Sequence, residues 1–159
     1  MAAIDKYLRA VIVRAEHEAH EDGSPAIEAQ HLLLAIASDP EPAVRQVLDS
    51  AGLDRHAVRD ALEREFEHSL RVAGIPRTAY DLPAPSRLPT HPTMGTSAKL
   101  ALERAFAAAS RKKDLRPAHL LLGILSARVG TVPRALALAG ADQDDLTARV
   151  RRALTEEYT

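Results

Sequence analysis

Seven histidines and no cysteine set the chemistry open to this chain of 159 residues. His17 and His20 stand one helical turn apart, with Glu16 and Glu21 beside them, a spacing from which one helix face could hold zinc. The order departs from His-Glu-x-x-His and no third ligand is evident in the sequence, so a solvated polar face fits better than the metal site of a small enzyme. Neither a metal nor a cofactor is expected. His31 and His119 each open an apolar run, where an imidazole can bond a backbone group at a helix start. A ligand or pH-sensing role would need an acidic residue or a thiol beside them, and neither has one as a sequence neighbour. Arg111-Lys112-Lys113 is a short cationic run without aromatic neighbours for stacking on bases, and it reads as a solvated helix end. No Gly-x-Ser-x-Gly elbow surrounds a serine, and no Gly-x-x-x-x-Gly-Lys-Ser/Thr loop is present to cradle ATP. These residues do not predict an enzyme.

Whatever positions these side chains is organised around a hexapeptide that occurs twice. His31-Leu32-Leu33-Leu34-Ala35-Ile36 returns 88 residues later as His119-Leu120-Leu121-Leu122-Gly123-Ile124. The same offset aligns Ser38 with Ser126, Val44 with Val132, Leu48 with Leu136, Ala51 with Ala139, Gly52 with Gly140 and Asp54 with Asp142. Two segments rich in leucine and alanine would not bring a glycine and an aspartate into register by chance. The chain is an internal duplication.

Composition narrows the class. Hydrophobic residues make up 46% of the chain and aromatics 3%, so the core must be built from Leu, Val, Ile and Ala, as packed helices are. A net charge of −1 supplies no basic field for nucleic acid and no polybasic anchor for lipid. The first twenty residues carry charges throughout and predict no secretory leader, and no apolar run approaches the ~20 residues of a membrane span. A cytoplasmic, monomeric protein follows, with neither nucleic acid nor membrane as partner; a DNA-associated regulator is the alternative that the charge argues against.

Periodicity places four helices in each half. Leu8, Val11, Ile12, Ala15 and Ala19 recur at helical steps within 5–22, with Arg9, Arg14, Glu16, Glu18 and Glu21 among the intervening positions. A buried helix over 29–38 carries the first hexapeptide. A third, 42–51, buries Val44, Val47 and Leu48 and stops at Gly52, and a fourth, 55–70, starts from an Asp54 cap with Val58, Leu62 and Phe66 inward. Five of the ten prolines fall between 76 and 92, so 71–93 reads as a linker, with Tyr80 and Leu82 to lie against the rest. The second half repeats the plan: a helix over 96–111 with Leu100, Leu102, Ala105, Phe106 and Ala109; one opened by Pro117 and running to 127; a short one capped by Thr131; and a last one capped by Asp142 that buries Leu146, Val150 and Leu154. The expectation is one all-α domain over 1–159, with repeat one at 4–70 and repeat two at 94–158, packed about a pseudo-twofold axis.

The residues Arg9-Ala10-Val11-Ile12-Val13-Arg14-Ala15, Glu18-Ala19, His31-Leu32-Leu33-Leu34, Leu48 and Ala51-Gly52 resemble the N-terminal domain of Clp-type AAA+ unfoldases over nearly the whole chain. The resemblance implies a pseudo-symmetric module that receives substrates, adaptors or small cyclic peptides for a Clp unfoldase and its peptidase. Some members read phosphorylated arginine with a glutamate before the motif histidine and a threonine near the start of each repeat. Here the glutamate positions hold Gln30 and Ala118, and the threonine positions fall at Asp5 and Gly95. A guanidinium wants a charged bidentate acceptor and a phosphate repels Asp5, so phosphoarginine binding is not expected. The family fold also implies a partner groove between the first helices of the two repeats, with Ile4, Arg9 and Val13 facing Met94, Lys99 and Leu102.

The duplication makes Leu33 and Leu121 equivalent and central. Replacing either with alanine is predicted to cost about 2–5 kcal/mol in urea unfolding, as at other buried leucines. A loss below about 0.5 kcal/mol, the range of surface positions, would break the repeat assignment.

Overall fold

The computed structural model describes residues 3–75 and 91–156. Helix α1 spans Ala3–Glu21, α2 Ala29–Ser38, α3 Pro42–Ser50 and α4 Arg55–Val72. The second half follows with α5 Thr96–Ala108, a 3-10 turn at Lys112–Asp114, α6 Pro117–Leu125, α7 Thr131–Leu138 and α8 Gln143–Glu156. The architecture is the all-α double repeat read from the sequence.

Local chemistry sets the boundaries. Glu41 caps α3 by accepting from Ala43 N–H at 3.0 Å, with Pro42 at the first helical position, where its missing N–H costs nothing. Asp54 accepts from Ala57 N–H at 2.8 Å and Asp142 from Asp145 N–H at 3.1 Å, so the two equivalent aspartates cap α4 and α8. Gly52 and Gly140 close α3 and α7 at φ +69° and +74°, a left-handed turn that a side chain would strain. Around them Leu53 N–H bonds Leu48 O at 2.8 Å and Ala141 N–H bonds Leu136 O at 2.9 Å, the same closure in both halves.

The hexapeptide helices form the middle of the core. Every residue from His31 to Ala37 and from Ala118 to Leu125 is buried, Leu33 and Leu121 among them. α1 lies on α2 and α5 on α6, while α4 of the first half packs on α7 of the second and α3 on α8. The halves therefore bury each other. Two short strands add a further tie: β1, Ala26–Ile27, pairs in parallel with β2, Thr93–Met94, in the register Ala26 to Thr93 and Ile27 to Met94.

Several expectations need correction. The stretch 71–93 is not wholly linker, since α4 runs on to Val72 and β2 takes Thr93–Met94; residues 76–90, with Tyr80 and Leu82, lie outside the described residues. α5 ends at Ala108 instead of 111, and Ser110 turns the chain at φ +64° before the 3-10 turn that holds Lys112 and Lys113. Gly130, not Thr131, is the residue ahead of α7. Phe66, Leu100 and Phe106 are each more than 40% exposed. The inward reading of Phe66 is corrected by this, and α5 turns Ala98, Ala101 and Ala105 to the core, leaving Leu100 and Phe106 outside, because α6 lies too close for anything larger.

Gly123 shows how close. A Cβ there would strike Ala101 O and come within 3.0 Å of Ala105 N, both backbone atoms that cannot swing away. The equivalent residue in the first half is Ala35, so only the α5–α6 pair demands a glycine. Gly123→Ala gains about 1 kcal/mol of helix propensity but overpacks the crossing at about 1–3 kcal/mol. Chemical denaturation should show a net loss, and a stabilised variant would contradict this reading of the crossing.

Candidate functional site

The starts of α2 and α6 are built alike. In each, the third helical residue is a histidine whose Nδ1 accepts the backbone N–H ahead of the helix: Glu28 N–H to His31 and Arg116 N–H to His119, both at 2.9 Å. The imidazole thus takes the part that a glutamate or glutamine plays in a capping box. Because Nδ1 of His31 accepts, its proton sits on Nε2, which donates to Asp22 Oδ2 at 2.9 Å. That aspartate lies nine residues away, at the end of α1, and corrects the view that no acidic group stands beside His31.

Two buried carboxylates escaped the sequence reading. Glu18, placed on the polar face of α1, is 1% exposed. Its Oε1 accepts from Arg55 at 2.9 Å, its Oε2 from Arg59 at 2.6 Å, and Arg14 approaches Oε1 at 3.5 Å. Burial pushes the Glu18 carboxyl upward, but the guanidiniums of Arg55, Arg59 and Arg14 outweigh it and hold its pKa below the usual value. The signal was in the spacing, since Glu18 falls seven residues after Val11 and three after Ala15, inside the apolar stripe. Glu65 on α4 is buried too and accepts from Ser69 Oγ at 2.6 Å and from Arg134 Nε of α7 at 2.9 Å, an ion pair between the halves.

The positions that answer to the family's phosphoarginine readers, Asp5 with Gln30 and Gly95 with Ala118, do not converge within one repeat. α1 and α2 run antiparallel, since Asp22 ends one beside His31 at the start of the other. Asp5 therefore lies about 25 Å along α1 from the end near Gln30, at the ~1.5 Å rise per residue of an α-helix. It pairs instead with Lys112 of the second half at 3.4 Å, a few residues before Ala118. In the reciprocal corner Gly95 packs against the Glu28 carboxylate, which also takes the hydroxyl of Ser97, while Ser97 Oγ accepts Ala29 N–H at 2.8 Å. Each hexapeptide helix thus meets the first helix of the other repeat. Gln30 is half-buried and Ala118 buried.

The groove between first helices is also differently made. α1 rests on α2 and α6, and α5 on α6 and α2; α1 and α5 share no extensive interface. Ile4, Met94 and Leu102 are half-buried against the core, whereas Arg9, Val13 and Lys99 are exposed. His17 and His20 are exposed on α1, with His17 Nε2 4.0 Å from Glu21, and among the described residues no three His, Asp or Glu groups converge as a metal site. Arg111 and Lys112 are engaged by Asp114 and Asp5. No described helix is long and apolar enough to cross a membrane.

Two helical repeats with exchanged contacts define a pseudo-symmetric, all-α double-repeat domain. The Clp repeat N-terminal domain family matches residues 4–88 and again 93–158, and the chain belongs to that family. Among solved structures it is similar to the N-terminal domain of the caseinolytic protease associated chaperone ClpD from Arabidopsis thaliana, with 21% identity, a TM-score of 0.62, and coverage of 91% of this chain and 92% of that one. No curated protein sequence matches it.

The Glu18 cluster makes stability depend on pH in a defined direction. The folded carboxyl titrates below 4.5 and the unfolded one near it, so the contribution is full above that pH and is lost as pH falls through the lower folded value. Glu18→Gln should cost about 1.5–3 kcal/mol at neutral pH, the range for hydrogen bonds to charged groups. It should also flatten the fall in melting temperature on acidification. Parallel melting curves for the variant and the parent below pH 5 would remove Glu18 as the source.

Proposed function

We propose that this chain works by binding rather than catalysis, as an adaptor, accessory factor or decoy for a Clp unfoldase–peptidase machine. The reading is carried by the match of both halves to the Clp repeat N-terminal domain family. A protein partner, either a Clp component or one of its substrates, would meet a single monomeric unit in the cytoplasm, with repeat one at 4–70 and repeat two at 94–158 acting together.

The surface that supports it lies on α1. Val13 is 60% exposed and, with Arg9, rims a depression of 410 Å3 lined also by Leu8 and Ile12 and by Asp5 and Glu16 at its edge. An apolar side chain held in water beside a guanidinium supplies contact area and an orienting charge for an acidic or carboxylate-bearing partner. Lys99 is the equivalent exposed cation on α5, displaced by the 90-residue offset that relates the first helices. Arg9 and Val13 are too exposed to act as mere seals between the repeats. Small cyclic peptides are a second class of ligand for the same strip.

Reversing both charges, Arg9→Glu with Lys99→Glu, tests the assignment. With the immobilised chain in native lysate and captured proteins identified by mass spectrometry, the parent should retain Clp unfoldase or peptidase subunits. The double variant should keep its melting temperature and lose capture by about tenfold, as expected when orienting charges are reversed. Undiminished capture by a folded double variant would move the docking surface away from the first helices.

A further inference from the structure

The end of α1 carries a dipeptide with chemistry of its own. Asp22-Gly23 is the single Asp-Gly pair of the chain, which has no asparagine. A backbone nitrogen that follows an aspartate can close a five-membered ring by attacking Cγ, and glycine offers that nitrogen with no Cβ to crowd the approach. The site is open to solvent. The Asp22 side chain is 44% exposed, and beyond its chain neighbours nothing lies within 4 Å of the place a Cβ on Gly23 would take. By the 90-residue offset of the first helices the pair is matched by Lys112 and Lys113, so repeat two carries no such site.

Three bonds hold the pair in its unreacted form. Asp22 N–H donates to Glu18 O at 3.1 Å, Gly23 N–H to His20 O at 3.0 Å, and Asp22 Oδ2 accepts from His31 Nε2 at 2.9 Å. Ring closure requires the carboxyl group to leave His31 and swing onto the Gly23 nitrogen, and that nitrogen to leave His20. The two backbone bonds belong to the exposed end of a helix, where opening takes little free energy. The third is anchored on a ring that is 1% exposed and already committed through Nδ1 to Glu28 N–H, so His31 cannot follow the carboxylate outward. His31 is therefore the restraint that sets how often Asp22 is free.

We propose that Asp22-Gly23 is a spontaneous modification site, converting to isoaspartate under the control of the His31–Asp22 bond. The Gly23 nitrogen bonds to Asp22 Cγ and gives up its proton, and the carboxyl hydroxyl departs with that proton as water. Water then reopens the imide between the Asp22 main-chain carbonyl carbon and the Gly23 nitrogen, so the chain runs on through Cβ and Cγ. No atom is gained or lost overall. The main chain is one methylene longer, and the free carboxylate now sits directly on Cα, short of His31. The closure of Ser24 N–H on Ala19 O, at 2.9 Å in the unmodified chain, loses its register as well. The effect falls on the corner between α1 and α2 and is independent of which partner the chain binds.

Peptide mapping by electron-transfer mass spectrometry separates isoaspartate from aspartate and provides the test, on the folded full chain held at neutral pH and body temperature. Asp22 should convert before every other aspartate, including Asp49, which precedes Ser50 at the end of α3. The converted fraction should melt about 3–10 °C below the parent, as for the loss of a hydrogen bond to a charged group in a domain of this size. His31→Gln keeps a capping-box residue at the third helical position and should speed conversion by about tenfold while circular dichroism shows it folded. Should that variant not fold, the order of conversion and the melting of the converted parent decide alone. Earlier conversion at another aspartate, a converted chain that melts like the parent, or a folded His31→Gln variant that converts no faster overturns the proposal.

Discussion

The structure depends on two helices that have no face to show to water. α2 and α6 are apolar on every side, and a helix of that kind is stable only when other elements surround it completely. The first helix of each repeat covers one side, α1 over α2 and α5 over α6. The remaining sides are closed across the duplication, by α4 against α7, α3 against α8 and the two hexapeptide helices against each other. Neither half can complete its own core. The pseudo-symmetric domain is therefore the smallest unit that buries the hexapeptides, and the duplication is a requirement of the packing.

Burying a helix from its first turn creates a second requirement. The backbone groups at its start have no water to turn to, and each must find a partner inside the protein. The histidine at the third position answers this twice over, accepting the N–H ahead of α2 and of α6 through Nδ1. In repeat one the other nitrogen is spent on Asp22, which fastens the end of α1 to the start of α2. A histidine can do this because its two nitrogens take opposite roles in the neutral ring. His31 and His119, read in the sequence as partners of backbone groups at helix starts, are thus held in the framework.

Sequence patterning reached as far as local rules extend. The hexapeptides, the aspartate caps at Asp54 and Asp142, the glycine stops and the buried faces of α3 and α8 are each written within a few residues of one another. What was missed depends on partners distant in the chain. Glu18 meets Arg55 and Arg59 from 37 and 41 residues away, Glu65 meets Arg134 from 69, and Ser97 meets Glu28 from 69. Long-range packing also sets which face of α5 turns inward: its approach to Gly123 admits only alanines, so Leu100 and Phe106 turn outward. The corner that pairs Asp5 with Lys112 was hidden for the same reason, because the sequence shows the repeats in line while the fold exchanges their contacts.

Differences between the halves follow a rule set by burial. Where a side chain fills the core, the two copies agree in character, as Leu33 with Leu121 and Leu48 with Leu136. Exceptions stand in repeat one, where buried Ala61 and Glu65 are answered by Arg149 and Ala153, and its ion cluster is absent from repeat two as a set: Glu18, Arg55 and Arg59 are answered by Ala108, Gln143 and Thr147. A carboxylate without its guanidiniums would be left buried and unpaired, so removing the members together is the inexpensive way to lose such a cluster. Gln143 still serves the backbone there, donating to Leu125 O at 2.7 Å at the end of α6, much as Arg55 donates to Ser38 Oγ at 2.9 Å at the end of α2. Exposed positions are not held to this rule: Glu21 and Glu63 of repeat one are answered by Arg111 and Arg151 in repeat two, where water solvates whichever charge is present. Those positions are where opposite charges could accumulate without disturbing the core, leaving one scaffold with two faces of contrary electrostatic character.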